Sequence, residues 1–174
     1  MNDLGRALPA LFSELVQGSP DQTIGTYMLN RGDRGLLHSL DQIPAAAASI
    51  STTGGATIAA HADHLRYGFQ LLNRWAAGEE APWKNADWTA SWRKRAVTTE
   101  EWRGIRDDLR REAETWQRHL GSLPELNDSA LKWVTGSVAH LAYHLGAIRQ
   151  IDRATRGPTA EDERQVSLAS PHQS

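Results

Sequence analysis

Apolar residues recur along this chain at helical spacing, and the strict alternation of a half-buried strand is nearly absent. Leu4, Leu8, Leu11, Phe12 and Leu15 predict an amphipathic helix over about 3–17, ended by Gly18 and Pro20. Residues 18–33 are rich in Gly, Asp, Asn and Pro and read as a loop. A second helical piece over about 34–49 carries Leu36, Leu37 and Leu40 and breaks near Pro44. After a polar, glycine-containing turn at 51–55, the pattern predicts a long helix over about 56–77. The connection 78–98 is irregular and holds Trp83, Trp88 and Trp92. Thr98 or Thr99 is placed to cap a helix over about 99–121, with Trp102, Ile105, Leu109, Ala113, Trp116 and Leu120 as its inward stripe. Asn127 or Asp128 starts the last helix, which runs to about Thr155 before Gly157 and Pro158 stop it. The expectation is an all-α helical bundle forming one domain over 1–158, followed by a flexible, disordered polar tail over 159–174.

Placing side chains at 100° per residue shows where the histidines point. On 56–77, Ile58, Ala62, Leu65, Phe69, Leu71, Leu72 and Trp75 form one apolar arc, and His61 and His64 both fall within it. Asp63, Arg66, Tyr67, Gln70, Asn73 and Arg74 occupy the opposite arc. On the last helix, Trp133, Val134, Ser137, Val138, Leu141, Leu145, Ile148 and Ile151 form the inward arc, and His140 and His144 lie inside it. Those two are about 40° apart around the axis and about 6 Å apart along it, so their imidazoles can converge on one ion. A lone His-x-x-x-His spacing is weak, because a buried histidine can be satisfied by a backbone carbonyl or a hydroxyl. Four of the seven histidines on the inward arcs of two helices are harder to explain that way. His38, His119 and His172 sit in a short helical piece, on a helix flank and in the tail, and read as solvated or locally bonded.

Composition narrows the chemistry. The 174 residues include no cysteine, which removes disulfides, thiolate ligands, iron–sulfur clusters and a cysteine nucleophile. A net charge of −2 offers no broad basic field for nucleic acid or an anionic membrane. Residues 1–12 carry Asp3 and Arg6 where a signal peptide needs an apolar run, and no stretch approaches the roughly 20 apolar residues of a membrane span. The expectation is a soluble, cytoplasmic protein whose partner is a small molecule, with a homodimer left open.

Two segments carry a resemblance. Residues Thr57-Ile58-Ala59-Ala60-His61-Ala62-Asp63-His64-Leu65 and Val138-Ala139-His140-Leu141-Ala142-Tyr143-His144-Leu145-Gly146-Ala147-Ile148 resemble the DinB/YfiT-like superfamily of metal-dependent enzymes. The likeness covers roughly 34–155 and implies a four-helix bundle, here with an extra N-terminal helix, and a three-histidine metal site. Carried over by position, that site falls on His64, His140 and His144. Periodicity alone does not choose between His61 and His64; the resemblance selects His64 and leaves His61 beside the ligands or in the core.

Three neutral imidazoles leave a coordination position open, as in catalytic sites. An all-nitrogen donor set suits Zn²⁺ or Ni²⁺, with Fe²⁺ also compatible. The resemblance implies thiol-dependent S-transfer, using a low-molecular-weight thiol as cosubstrate, to a small electrophile. Metal-assisted hydrolysis and a non-catalytic helical interaction or regulatory module with a vestigial site are the alternatives. No general base is identifiable, since Tyr143 and Asp63 map to outward arcs. Trp83, Trp88 and Trp92 either wall a pocket over the metal or pack the connection onto the bundle, and Arg93, Lys94 and Arg95 read as a solvated basic patch.

Overall fold

The structure is a computed structural model describing residues 3–19, 26–51, 54–123 and 126–159. The side chain of Leu4, Pro20, and the expected tail beyond Thr159 with His172 lie outside the described residues. Among those described, every regular element is helical, as the periodicity requires. The α-helices are α1 (Asp3–Gln17), α2 (Gly35–Asp41), α3 (Ala45–Ala48), α4 (Ile58–Ala76), α5 (Thr99–Ser122) and α6 (Asp128–Ile151). Single-turn 3-10 helices occur at Pro82–Asn85, Ala90–Trp92 and Arg153–Thr155.

The ends of the long helices follow from side chains that satisfy otherwise unpaired backbone groups. Thr57 accepts from the Ala60 amide at 3.2 Å to start α4. Thr98, not Thr99, caps α5 in a reciprocal box with Glu101. Asn127, not Asp128, caps α6 by accepting from the Ala130 amide at 2.9 Å. Pro44 adopts an extended conformation at the start of α3, which splits the expected 34–49 helix in two. The last helix ends at Ile151, short of the expected Thr155. There Asp152 turns extended, and its carboxylate accepts from the Ala154 amide at 2.9 Å, a local bond that competes with continued helix.

One apolar cluster runs through the molecule, with Phe12 from α1, Phe69 from α4, Trp102 and Trp116 from α5, and Leu141 and Ile148 from α6 all essentially inaccessible. Phe12 meets Phe69 edge-on, with centroids 5.3 Å apart. Both buried indoles also find acceptors: Trp102 donates to the Ile43 carbonyl at 2.6 Å and Trp116 to the Ser137 hydroxyl at 3.0 Å.

Helix α4 is central. It packs most extensively on α5 and also meets α6, α3 and both 3-10 turns of the 78–98 connection. Two residues expected on its outer arc are therefore buried. Asn73 donates to the Glu112 carbonyl of α5 at 3.0 Å, and Asp63 is 6% exposed and accepts from Arg66 Nε at 2.7 Å. An angular wheel equates the arc opposite the core with solvent, which fails for a helix flanked by neighbours on several sides. Trp133 departs in the other direction: expected inward, it is 43% exposed and stacks on Trp83.

Two buried carboxylates tie the segment before α2 to the bundle. Glu14 of α1 accepts from the amides of Tyr27, Met28 and Leu29, the last at 2.7 Å. Asp33 accepts from the Gly35 amide and from Arg149 of α6, each at 2.8 Å. Gly18 and Gly35, both at positive φ, bring their backbones so close that a Cβ on Gly35 would lie 2.4 Å from the Gly18 nitrogen. Among the described residues, no helix is long and apolar enough to cross a membrane.

Phe12→Ala is expected to cost about 3–5 kcal/mol in urea unfolding, since the ring is fully buried and its removal strips the edge-on contact with Phe69. Thr98→Ala, at an exposed cap, is expected to cost only about 1 kcal/mol. Equal losses in the two variants would contradict this placement of the core.

Candidate metal centre

The histidines of α4 and α6 meet across the helix interface. His64 Nε2 lies 3.2 Å from His140 Nε2, which lies 2.8 Å from His144 Nε2. His64, His140 and His144 each offer one ring nitrogen, and all three of these atoms fall within 4.8 Å of one another. His64 and His144 are buried, and His140 is half-buried. His38 and His119 do not belong to this group.

Outer partners bear on which nitrogen of each ring is free. The Ser91 hydroxyl donates to the Trp88 carbonyl at 2.7 Å, so its oxygen is left to accept from His64 Nδ1–H, also at 2.7 Å. That bond fixes the tautomer in which His64 Nε2 carries a lone pair toward the other two histidines. His61 Nδ1 lies 2.7 Å from His144 Nδ1. The arrangement that frees His144 Nε2 has His144 Nδ1–H donating and His61 Nδ1 accepting. His61 thus sits behind His144, on the far side from the converging Nε2 atoms.

The donor set fits a divalent ion. Nitrogen ligands about 2.0–2.1 Å from a tetrahedral zinc are roughly 3.3 Å from one another. The 3.2 Å separation nearly matches this, and the 2.8 Å one requires one ring to move by about 0.5 Å. With the His140 proton on Nδ1, three Nε2 lone pairs face each other and a cation would bridge them; with it on Nε2, that N–H donates to His64 or His144 instead.

Burial pushes the pKa of every histidine in the cluster down. His64 falls to about 4, through desolvation first and then the neighbouring His140 and His61, partly offset by Asp63. His144 falls to about 3, through desolvation and then His140, His61 and His64. Desolvation alone lowers His61 and His140. All four are therefore neutral at pH 7, the state in which imidazole ligates a metal.

Tryptophans surround the cluster. Trp92 stacks on His64 with centroids 4.2 Å apart and meets His61 edge-on at 5.3 Å. Trp88 lies 5.7 Å from the His64 ring. Beside them is a cavity of about 540 Å³, lined by Phe69, Leu71, Leu72, Trp83, Trp88, Trp133 and, on the histidine side, His140. Trp83 and Trp88 thus wall a space next to the histidines, whereas Trp92 packs against the rings themselves. Tyr143 is 69% exposed, and Arg93, Lys94 and Arg95 are exposed, as expected.

Sequence reasoning did not find Ser91, the half-exposed Trp133 of the cavity wall, or the way His61 backs His144. Ser91 lies in a segment without periodicity, so no pattern marks it. Comparison of the chain with protein-family models, curated proteins and solved structures gave no match.

Metal-free protein is expected to lose stability on acidification. The unfolded chain protonates these histidines near the ordinary value of 6.5, whereas the folded chain resists down to about 4 at His64 and about 3 at His144. Between those limits protons bind the unfolded state preferentially, so stability is full above pH 6.5 and falls as the pH drops toward the folded values. Urea midpoints of chelator-treated protein, measured from pH 7.5 to 4.5, should decline through this window. A flat profile would mean that the histidines are not buried as neutral groups.

Proposed function

We propose that this chain is a metal-dependent enzyme in which His64, His140 and His144 hold one divalent ion through Nε2, with the open coordination position turned toward the aromatic cavity. The observation that carries the reading is the convergence of three Nε2 atoms from two helices, with separations of 2.8 and 3.2 Å. The residues that the likeness to the DinB/YfiT-like superfamily selects from the sequence are the ones that converge. Zn²⁺ and Ni²⁺ suit the all-nitrogen donors best.

When bound, such an ion supplies Lewis acidity and lowers the pKa of a thiol or a water. The chain's own residues do the rest. Ser91 holds the His64 ring in the ligating tautomer, and His61 does the same for His144. Trp88 and Trp92 exclude water from the His64 side. Among the described residues that line the cavity, none is a carboxylate. A free thiol ionises near pH 8.5 and free water near 15.7, and a bound zinc would bring either toward the neutral range. Transfer of a low-molecular-weight thiol to a small electrophile is the reaction that the sequence likeness implies, and metal-assisted hydrolysis is the alternative at the same centre.

Purified protein is expected to contain about one divalent ion per chain by elemental analysis, lost in His64→Ala, His140→Ala and His144→Ala. His61→Ala and Ser91→Ala should retain the stoichiometry while weakening affinity about 10- to 100-fold in chelator competition. Release by His61→Ala but not by His64→Ala would reverse the assignment of the third ligand. Metal-loaded protein should then turn over an electrophile only with a thiol present.

A further inference from the structure

The cavity beside the histidines differs from an ordinary polar enzyme cleft. Its volume, about 540 Å³, is in the range that encloses a small organic molecule. Its walls are the stacked pair Trp83 and Trp133, with centroids 4.2 Å apart, together with Trp88, Phe69, Leu71 and Leu72. Two of the polar groups at its edge are bonded within the chain. The Ser137 hydroxyl donates to the Val134 carbonyl and accepts from Trp116, and the Lys132 ammonium pairs with Asp128 at 2.6 Å. His140 lines the same cavity, so an occupant lies beside the converging Nε2 atoms.

We propose that this cavity binds the flat, apolar body of a small molecule, an aromatic ring or similarly planar hydrocarbon, and that the molecule's polar head group points toward His140. The orientation of the head rests on the metal reading above; the binding of the body does not. Indole faces and edges accept planar rings at offset or edge-on geometry, and the apolar floor removes the ring from water. The electrophile, or its departing portion, is then aromatic or planar, and a saturated polar molecule gains little from walls that are mainly aromatic and aliphatic.

Gly136 of α6 gives a test that spares the fold. It lines the cavity, and a Cβ there meets nothing within 4 Å. Leucine favours helix over glycine, and its side chain would lie over the preceding turn, away from His140. Two probes are used, imidazole and 4-phenylimidazole, titrated into zinc-loaded protein by calorimetry. The phenyl-bearing probe is expected to bind at least about tenfold more tightly. Gly136→Leu and, separately, Trp133→Ala should remove most of that advantage while zinc stoichiometry stays unchanged.

In chelator-treated protein, naphthalene should still quench tryptophan emission, and Gly136→Leu should abolish the effect. Loss of zinc binding with this quenching intact would sink the metal reading and leave the cavity assignment standing. Zinc binding with no phenyl advantage, or an advantage that survives Gly136→Leu, overturns the cavity assignment alone.

Discussion

Four imidazoles share one buried space between α4 and α6, and each of their ring nitrogens must either find a partner or carry a desolvation cost. This constraint organises the rest of the site. His64 is satisfied on one side by Ser91 and His144 on one side by His61, which leaves their remaining nitrogens facing His140. A packed apolar core would have cost less to build at these positions. The fold instead surrounds the rings with indoles and holds them neutral.

The scaffold meets this demand by fixing the two helices independently. Helix α4 is held from several directions, by α5, α3 and the 3-10 turns of the connection that follows it. Helix α6 is held through Trp116 to Ser137 near its middle and through the Arg149–Asp33 pair near its end. The histidines lie between these anchor points, on stretches whose backbone is all internally bonded helix. Their relative placement therefore depends on helix packing and not on loop conformation.

Much of this was legible in the sequence, for identifiable reasons. His140 and His144 stand one turn apart among Val138, Leu141 and Leu145, so periodicity alone puts them in the interior. His61 and His64 share an arc, and periodicity could not rank them; resemblance to known three-histidine bundles pointed to His64, and the structure brings its Nε2 to His140. Asp63 and Asn73 were misplaced because a wheel knows the angle of a residue but not how many neighbours surround its helix. Ser91 was invisible, since its role comes from a contact with His64 across an irregular segment. The tryptophan-rich connection advertised itself by composition, yet which indole would touch a histidine and which would wall the cavity depended on two single-turn helices that no spacing rule predicts.

That connection concentrates several duties in one short stretch of chain. Ser91, Trp88 and Trp92 all belong to it, and it rests on α4 through contacts such as the Asp87 amide donating to the Tyr67 hydroxyl at 3.1 Å. Ala81, a non-glycine residue at φ 45, stands at its near end in left-handed backbone. Because one segment carries both the partner of His64 and a wall of the cavity, the two cannot vary independently. Any displacement of the segment would therefore change the setting of the His64 ring and the shape of the adjoining cavity together.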